Sequence, residues 1–387
     1  MEALELIEII ARDEDSKHQF KANMNNATSL AQELVAFSNT LGGSLFIGVS
    51  DDGTVSGLTR EDMGRLSNLV SNAASQLVKP PINPITENVS HPDGMVMLVH
   101  VEAGIAKPYM DKDGVIWVKS GADKRKATAR EEIQRMYQSS GLVHGDESPV
   151  AGMTVADLNL PLFSEFYKAQ YDEGLEEQEL PLKQLFENLN LCKDGVLNVA
   201  GALLFAKNTL FKLPAFVVKC VAYSGDDIHE SEYNDSEDLS GPLEKVFADT
   251  LAFVLRNLRK VQGEKNVNSL GETEIPKVVF EELIANALIH RDYFISAAIR
   301  LFIFDDRIEI ISPGHLPNNL TIENVKSGNS NIRNPILASF ATKILPYRGL
   351  GNGIRRALKA YPEIELIDER DGNLFKVVIK RARLEEV

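Results

Sequence analysis

The sequence predicts an α+β protein of two principal domains, and three observations carry that reading. The chain has 387 residues, room for two domains of ordinary size. Helical and two-residue periodicities both occur, with paired strands in hairpins rather than regular strand–helix–strand alternation. A turn-rich stretch, His144-Gly145-Asp146-Glu147-Ser148-Pro149, interrupts both patterns. The expected division is a first domain over 1–140, a helical connector over 141–194 and a second domain over 195–387. Hydrophobic content of 44% and charged content of 25% suit an ordinary globular chain. A net charge of −15 argues against nucleic-acid binding over the whole surface, which needs a basic field, and leaves room only for a local basic patch. Cys192 and Cys220 sit in apolar surroundings without metal-ligand spacing, so free thiols in a reducing compartment are expected. No basic leader and no apolar run of about 18 residues is present, which predicts a cytoplasmic protein with no membrane partner.

In chain order, residues 2–12 read as a short amphipathic helix with Leu4, Ile7, Ile9 and Ile10 on its apolar side. Gln19-Phe20-Lys21-Ala22 suits a strand. Residues 28–40 suit a helix capped by Thr28 or Ser29 and stopped at Gly42-Gly43. Ser44 to Val49 is a buried strand, Asp51-Asp52-Gly53 a tight turn, and a helix follows around 60–77. Strands are expected at 95–101 and 115–119, and a helix at 129–138. Residues 160–190 read as short polar helices. A strand is expected over 215–223. The acidic run Asp226 to Asp238 reads as a solvated loop, the alternative being a divalent-cation site without evident ligand spacing. Pro242 opens a helix to about Lys260. After a polar segment, 262–272, comes a helix around 280–293, then a hairpin of 298–304 with 307–311. Residues 318–346 read as loop-rich. Gly349-Leu350-Gly351-Asn352-Gly353 precedes a helix from Ile354 to Tyr361, and strands at 364–368 and 374–380 close the chain.

The helix at 280–293 has an unusual polar stripe. At about 100° per residue, Phe280, Leu283, Ile284, Ala287 and Leu288 share one face, and Glu282, Asn286, His290 and Tyr293 the other. A carboxylate, an amide, an imidazole and a phenol are not an ordinary solvent stripe. They form either a buried polar network or a ligand face. The glycines at 349, 351 and 353 admit two readings as well: a tight turn, or a loop whose backbone N–H groups hold phosphate at a helix start, assisted by Arg355 and Arg356. No Walker-type loop occurs.

Taken together, these features are similar to the GHKL (Bergerat) ATPase domain of gyrase B, heat-shock protein 90, histidine kinases and MutL. Glu282 to Tyr293, with Ile311-Ser312-Pro313-Gly314 and Arg333-Asn334-Pro335, resembles the variant of that α/β sandwich found in RecG-like, divergent-AAA bacterial ATP-binding proteins. The resemblance implies ATP and Mg²⁺ as cofactors. It implies Asn286 as the Mg²⁺ ligand and Glu282 as the catalytic residue that polarises water. It implies Gly314, Gly349, Gly351 and Gly353 as cofactor-binding positions. An amide oxygen suits Mg²⁺, and a carboxylate one turn away reaches a water near the γ-phosphate. Gyrase-type members carry an Asp that reads the adenine amino group. Ser312-Pro313-Gly314-His315 stands in that place here.

The N-terminal half resembles a Schlafen-type, Alba-like domain. The matching residues are Glu14, Gln19-Phe20-Lys21, the stretch Leu34 to Val49, Asp51-Asp52-Gly53 and Gly57. The resemblance implies binding of DNA or RNA. Some Schlafens are nucleases using two glutamates and an aspartate. Glu14 and Asp51 supply two of these, and Gln19 replaces the third, which disfavours cleavage because an amide is the poorer Mg²⁺ ligand. Lys119, Lys124, Arg125, Lys126 and Arg130 form the densest basic cluster, and the first four, with Lys21, are the expected nucleic-acid contacts; a solvated turn before a helix is the competing account. The combined expectation is a transcriptional-regulator-like protein, homodimeric or larger, in which nucleotide at Asn286 controls the nucleic-acid domain, with weak ATPase activity at most. A nucleotide-regulated nuclease and a binding protein with a decayed nucleotide site are the alternatives.

Overall fold

The computed structural model describes residues 1–228, 232–261, 272–317 and 320–382, in two compact units, Met1–Val143 and His144–Val387. Most of the polar segment 262–272 lies outside the described residues. The architecture is α+β.

In the first unit, a sheet runs β1 (His18–Lys21), β2 (Gly43–Ile47), β4 (Gly94–Val101), β3 (Ile85–His91), with β1 parallel to β2 and the other pairs antiparallel. Side chains alternate between its two faces. Leu45, Ile47, Met97 and Val99 pack with Leu30, Leu34 and Phe37 of helix α2 (Ala27–Asn39) and Leu66 of α3 (Arg60–Asn72). Phe20, Phe46, Val96 and Leu98 pack on the opposite side with Leu6 of α1 (Ala3–Ile10). Two local expectations change. Leu6, not Leu4 or Ile7, is the buried anchor of α1; Leu4 is 70% exposed, because the helix lies on the sheet through Leu6, Ile9 and Ile10. The cap of α2 is Asn26, whose Oδ1 accepts from the N–H groups of Thr28 and Ser29. A hairpin of β5 (Trp117–Ser120) and β6 (Asp123–Lys126) leads to α4 (Arg130–Ser139).

The second unit begins with β7 (Pro149–Thr154), α5 (Leu160–Tyr171), α6 (Leu182–Asn188), β8 (Cys192–Lys193), β9 (Val196–Asn198) and α7 (Val199–Phe205). The stretch read as a helical connector thus contains strands β7 and β8, which join β9 in a three-stranded sheet. Phe163, Phe186 and Phe205 form an aromatic knot within the same core as the larger sheet.

That larger sheet has the order β11 (Tyr233–Leu239), β10 (Val218–Tyr223), β12 (Ile299–Ile303), β13 (Arg307–Pro313), β15 (Leu374–Lys380), β14 (Ile364–Glu369). Only β10 and β12 are parallel. One face carries Cys220, Leu301, Ile308 and Ile310 into the core with helices α8 (Leu243–Asn257) and α9 (Lys277–His290); the other carries Val221, Tyr223, Phe302 and Phe304. The acidic run is not all loop among the described residues. Its second half is edge strand β11, where Arg256 and Asn257 bind Asp235, Arg256 also binds Glu237, and Lys219 binds Asp238. These carboxylates are used up in pairing, so the cation alternative loses its ligands there. The span read as loop-rich holds α10 (Ile322–Ser327) and α11 (Pro335–Ile344). Buried Asp146 caps α11, its Oδ2 accepting from Ile336 N at 2.8 Å and Leu337 N at 3.0 Å, and burial pushes its pKa up to about 6. Helix α12 (Gly353–Ala360) follows the glycine loop.

Candidate functional site

Helix α9 is apolar almost all round, and Val279, Phe280, Leu283, Ile284, Ala285, Leu288 and Ile289 are buried, as befits a central helix. Its end is fixed by side chains from the loop before α11. Asn334 donates through Nδ2 to the carbonyls of Ile289 and Arg291, both at 2.8 Å, satisfying acceptors that a helix end leaves open. Arg291 is 2% exposed, donates to the Ile295 and Ala297 carbonyls, and lies between the rings of Phe216 and Tyr293. The helix stops at His290, so Tyr293 leaves the polar stripe. It is buried, its hydroxyl donates to the Leu288 carbonyl, and burial raises its pKa.

The remaining stripe, Glu282, Asn286 and His290, faces a cavity of about 620 Å³. Gly314, Gly349, Gly351 and Gly353 also line it, so the structure brings together every residue expected at the nucleotide site. Alternation on β13 puts Ile310 and Ser312 on the cavity face, opposite Val377 and Phe375 of β15. With Leu283 and Ala287 they form an apolar slot containing one hydroxyl, Ser312 Oγ, which donates to the Ala287 carbonyl at 3.2 Å.

One glycine of the loop is sterically required, and another permits a close approach. A Cβ on Gly353 would sit 2.4 Å from Glu282 Oε2 and 3.1 Å from Asn286 Nδ2, so glycine lets the start of α12 rest against the polar stripe. Gly351 has φ +69°, and a Cβ there would meet the Gly328 carbonyl oxygen at 2.2 Å.

Charge is strongly one-sided. Arg333, Arg348, Arg355, Arg356 and Lys359 line the cavity, and Glu282 is its only carboxylate among the described residues. Glu282 is 4% exposed. Burial raises its pKa, and the nearby Arg356 and Arg348 oppose that rise. Arg356 Nη2 lies 2.5 Å from Glu282 Oε1, while Arg356 Nε is buried without a partner. Asn286 donates through Nδ2 to the Glu282 main-chain carbonyl at 2.7 Å, which commits the amide nitrogen and leaves Oδ1 as an oxygen donor. His290 Nε2 lies 3.0 Å from the Tyr347 hydroxyl, and burial lowers its pKa to about 4, so it is a neutral link between α9 and the loop.

These residues fit an Mg²⁺–triphosphate. No group of three His, Cys, Asp or Glu among the described residues could hold a metal alone. Mg²⁺ characteristically takes few protein ligands and completes its shell with phosphate oxygens and water. Asn286 Oδ1 would supply such a ligand, and the cavity's cations would face the phosphates. Arg348 and Lys359 were missed by sequence reasoning although they flank the glycine loop at short range. Arg333 was quoted there only as part of a motif.

The basic cluster of the first unit has a different character. Lys119 is 8% exposed and donates to Gln19 Oε1 and to the Ala122 carbonyl. Burial lowers its pKa against the pull of Glu33 and Glu14. Lys124 pairs with Glu33 at 2.6 Å, Arg125 with Glu132 at 2.8 Å, and Lys21 with Asp51 at 3.1 Å. Lys126 is exposed and lies over the Trp117 ring, as does Lys124. Lys119 is therefore an interior cation, not a surface contact. Glu14 accepts from Gln19 Nε2 at 2.8 Å and Phe20 N at 2.6 Å, so Gln19 bridges Glu14 to the Lys119 ammonium.

Residues 14–128 match the family model described as "Schlafen, AlbA_2", and residues 296–379 match the one described as "Putative ATP-dependent DNA helicase recG C-terminal". Among solved structures, the DIP2311 protein of Corynebacterium diphtheriae is similar at 21% identity and TM-score 0.45, over 98% of this chain and 80% of that one. The N-terminal domain of a "Putative ATP-dependent DNA Helicase RecG-related Protein" from Nitrosomonas europaea is similar at 19% identity and TM-score 0.24, over 34% of this chain and 96% of that one. No curated protein matches. No helix among the described residues is long and apolar enough to cross a membrane.

Proposed function

We propose that this chain, which joins a Schlafen, AlbA_2-type domain to an ATPase-like domain of the RecG C-terminal kind, is a nucleotide-dependent regulator that binds DNA or RNA. The observation that carries the reading is the cavity in which five cations, a glycine loop and Asn286 surround a single carboxylate. In a protein of net charge −15, that concentration of cations selects a polyanion. ATP is the expected nucleotide. Asn286 would hold Mg²⁺ through Oδ1, and the metal would neutralise phosphate charge when bound. The start of α12 would present its N–H groups to phosphate. Occupancy would set the arrangement of the loop around 318–352, and that state would control the first unit, acting as a homodimer or larger assembly.

Glu282 is the candidate base for any hydrolysis. A base must reach the proton it removes, and Arg356 holds this carboxylate in the structure. Weak turnover at most is expected, since the Arg356 ion pair opposes protonation of this carboxylate. The test is calorimetry with Mg²⁺–ATP. Wild type should bind, and Asn286→Ala should bind at least tenfold more weakly with Mg²⁺ but nearly equally without it. No heat with wild type removes the reading and favours a decayed site. The nuclease alternative is disfavoured because Gln19 and Lys119 occupy the space beside Glu14. Metal-dependent cleavage of RNA or DNA that disappears in Glu14→Ala would restore it.

A further inference from the structure

The ion pair of Glu282 and Arg356 is poorly explained as a structural fastening alone. Glu282 is 4% exposed on the central helix α9, and Arg356 reaches it from α12, with Nη2 2.5 Å from Oε1. Such a pair stabilises a fold only when its remaining polar groups are satisfied too. Here Arg356 Nε is buried without a partner, and a buried donor left open costs free energy. The guanidinium thus has an unmet need for a second acceptor.

Its surroundings say which kind of acceptor. Both partners line the cavity together with Arg333, Arg348, Arg355 and Lys359, against no second carboxylate among the described residues. With the pair itself neutral, these other cations leave a net positive charge that attracts anions. The pair also lies beside Asn286. A Cβ on Gly353, the first residue of α12, would sit 2.4 Å from Glu282 Oε2 and 3.1 Å from Asn286 Nδ2, so carboxylate and amide meet at one point of the helix start. A carboxylate carries one negative charge, whereas a di- or triphosphate carries several. Arginine binds phosphate with the same planar fork of donors that it offers a carboxylate.

We propose that Arg356 is a phosphate contact held in reserve: Glu282 occupies it as an internal anion, and a phosphate group of the ligand takes the arginine over. The inference rests on the nucleotide reading above and deepens it. Glu282 then opposes binding in two ways, through the pair that must be broken and through repulsion of the phosphate. The wild-type cavity consequently holds polyphosphates more weakly than its cations alone would allow. The exchange involves only the phosphate chain, so an inorganic polyphosphate undergoes it as a nucleotide does.

The test is calorimetry on the full chain with inorganic tripolyphosphate and with ATP, both without Mg²⁺, so that a metal at Asn286 plays no part. Glu282→Gln keeps the shape of the side chain and removes its charge. It should lower the Kd of both probes about tenfold, the size of a charge-assisted hydrogen bond. In that background, Arg356→Gln should raise both Kd values about tenfold. With Glu282 in place the same substitution should cost at least about threefold less, because there the arginine has a carboxylate to leave. Repulsion of phosphate by Glu282 without exchange gives equal losses in the two backgrounds and overturns the proposal. A Kd that Glu282→Gln leaves unchanged or raises overturns it as well, while binding by wild type keeps the nucleotide reading standing. Failure of wild type and every variant to bind either probe removes the nucleotide reading itself, and the exchange with it.

Discussion

Two sets of five cations invite comparison. In the first unit, Lys21, Lys119, Lys124 and Arg125 each have an oxygen partner of their own, and only Lys126 is without one among the described residues. In the second unit, Arg333, Arg348, Arg355, Arg356 and Lys359 line a cavity whose one carboxylate among the described residues, Glu282, pairs with Arg356, while Arg333 donates to the His315 carbonyl. Four of the first set lie within 119–126 and Lys21 stands apart, whereas the second is spread over 27 positions with glycines between. Both were expected to meet anions, but the first set is largely paired internally. A basic run predicts potential only after its partners are counted.

The comparison is most exposed at Lys119. If its ammonium is structural, Lys119→Met leaves the Gln19 side-chain carbonyl and the Ala122 carbonyl without their donor. The expected cost is about 1–3 kcal/mol, read by urea unfolding. A loss of nucleic-acid affinity with unchanged stability would instead return Lys119 to the surface role. The next effect lies in the cavity. Arg348→Gln or Lys359→Gln should each weaken Mg²⁺–ATP about tenfold, the size of one charge-assisted hydrogen bond, while Lys124→Gln should not. Equal effects in both units would erase the contrast. The smallest effect is in salt dependence. If Lys126 alone of this cluster neutralises a phosphate, Lys126→Gln should flatten the log–log salt slope of nucleic-acid binding by about 1, measured by fluorescence anisotropy. An equal change in Lys124→Gln would mean that the internal pairs open on binding.

Much of the site was legible because local pattern and steric need coincide there. Glu282 and Asn286 are one turn apart on a helix whose apolar residues fix its rotation, and Gly351 occupies a place where no Cβ fits. What was not legible depends on partners distant in sequence. Nothing near Lys119 announces Gln19, and nothing near Glu282 announces Arg356. Strand β11 escaped because only Leu239 is buried in it, so no alternation marks it. Helix α10 has six residues and none buried, too short to show a period. Tyr293 was misplaced because the periodicity was carried three residues beyond a helix that ends at His290.

The glycine loop is joined to α9 at both of its ends: Tyr347 meets His290 before it, and Arg356 meets Glu282 after it. The two attachment points are eight residues apart on one rigid helix, about 12 Å. A chain segment fixed at both ends moves as a flap rather than a tail, and it admits or releases a ligand only when one fastening opens. Residence time is then a property of these fastenings more than of the contacts to the ligand. Tyr347→Phe, which removes one hydroxyl, should shorten the lifetime of the bound nucleotide in stopped-flow displacement while barely changing how many phosphate contacts it makes.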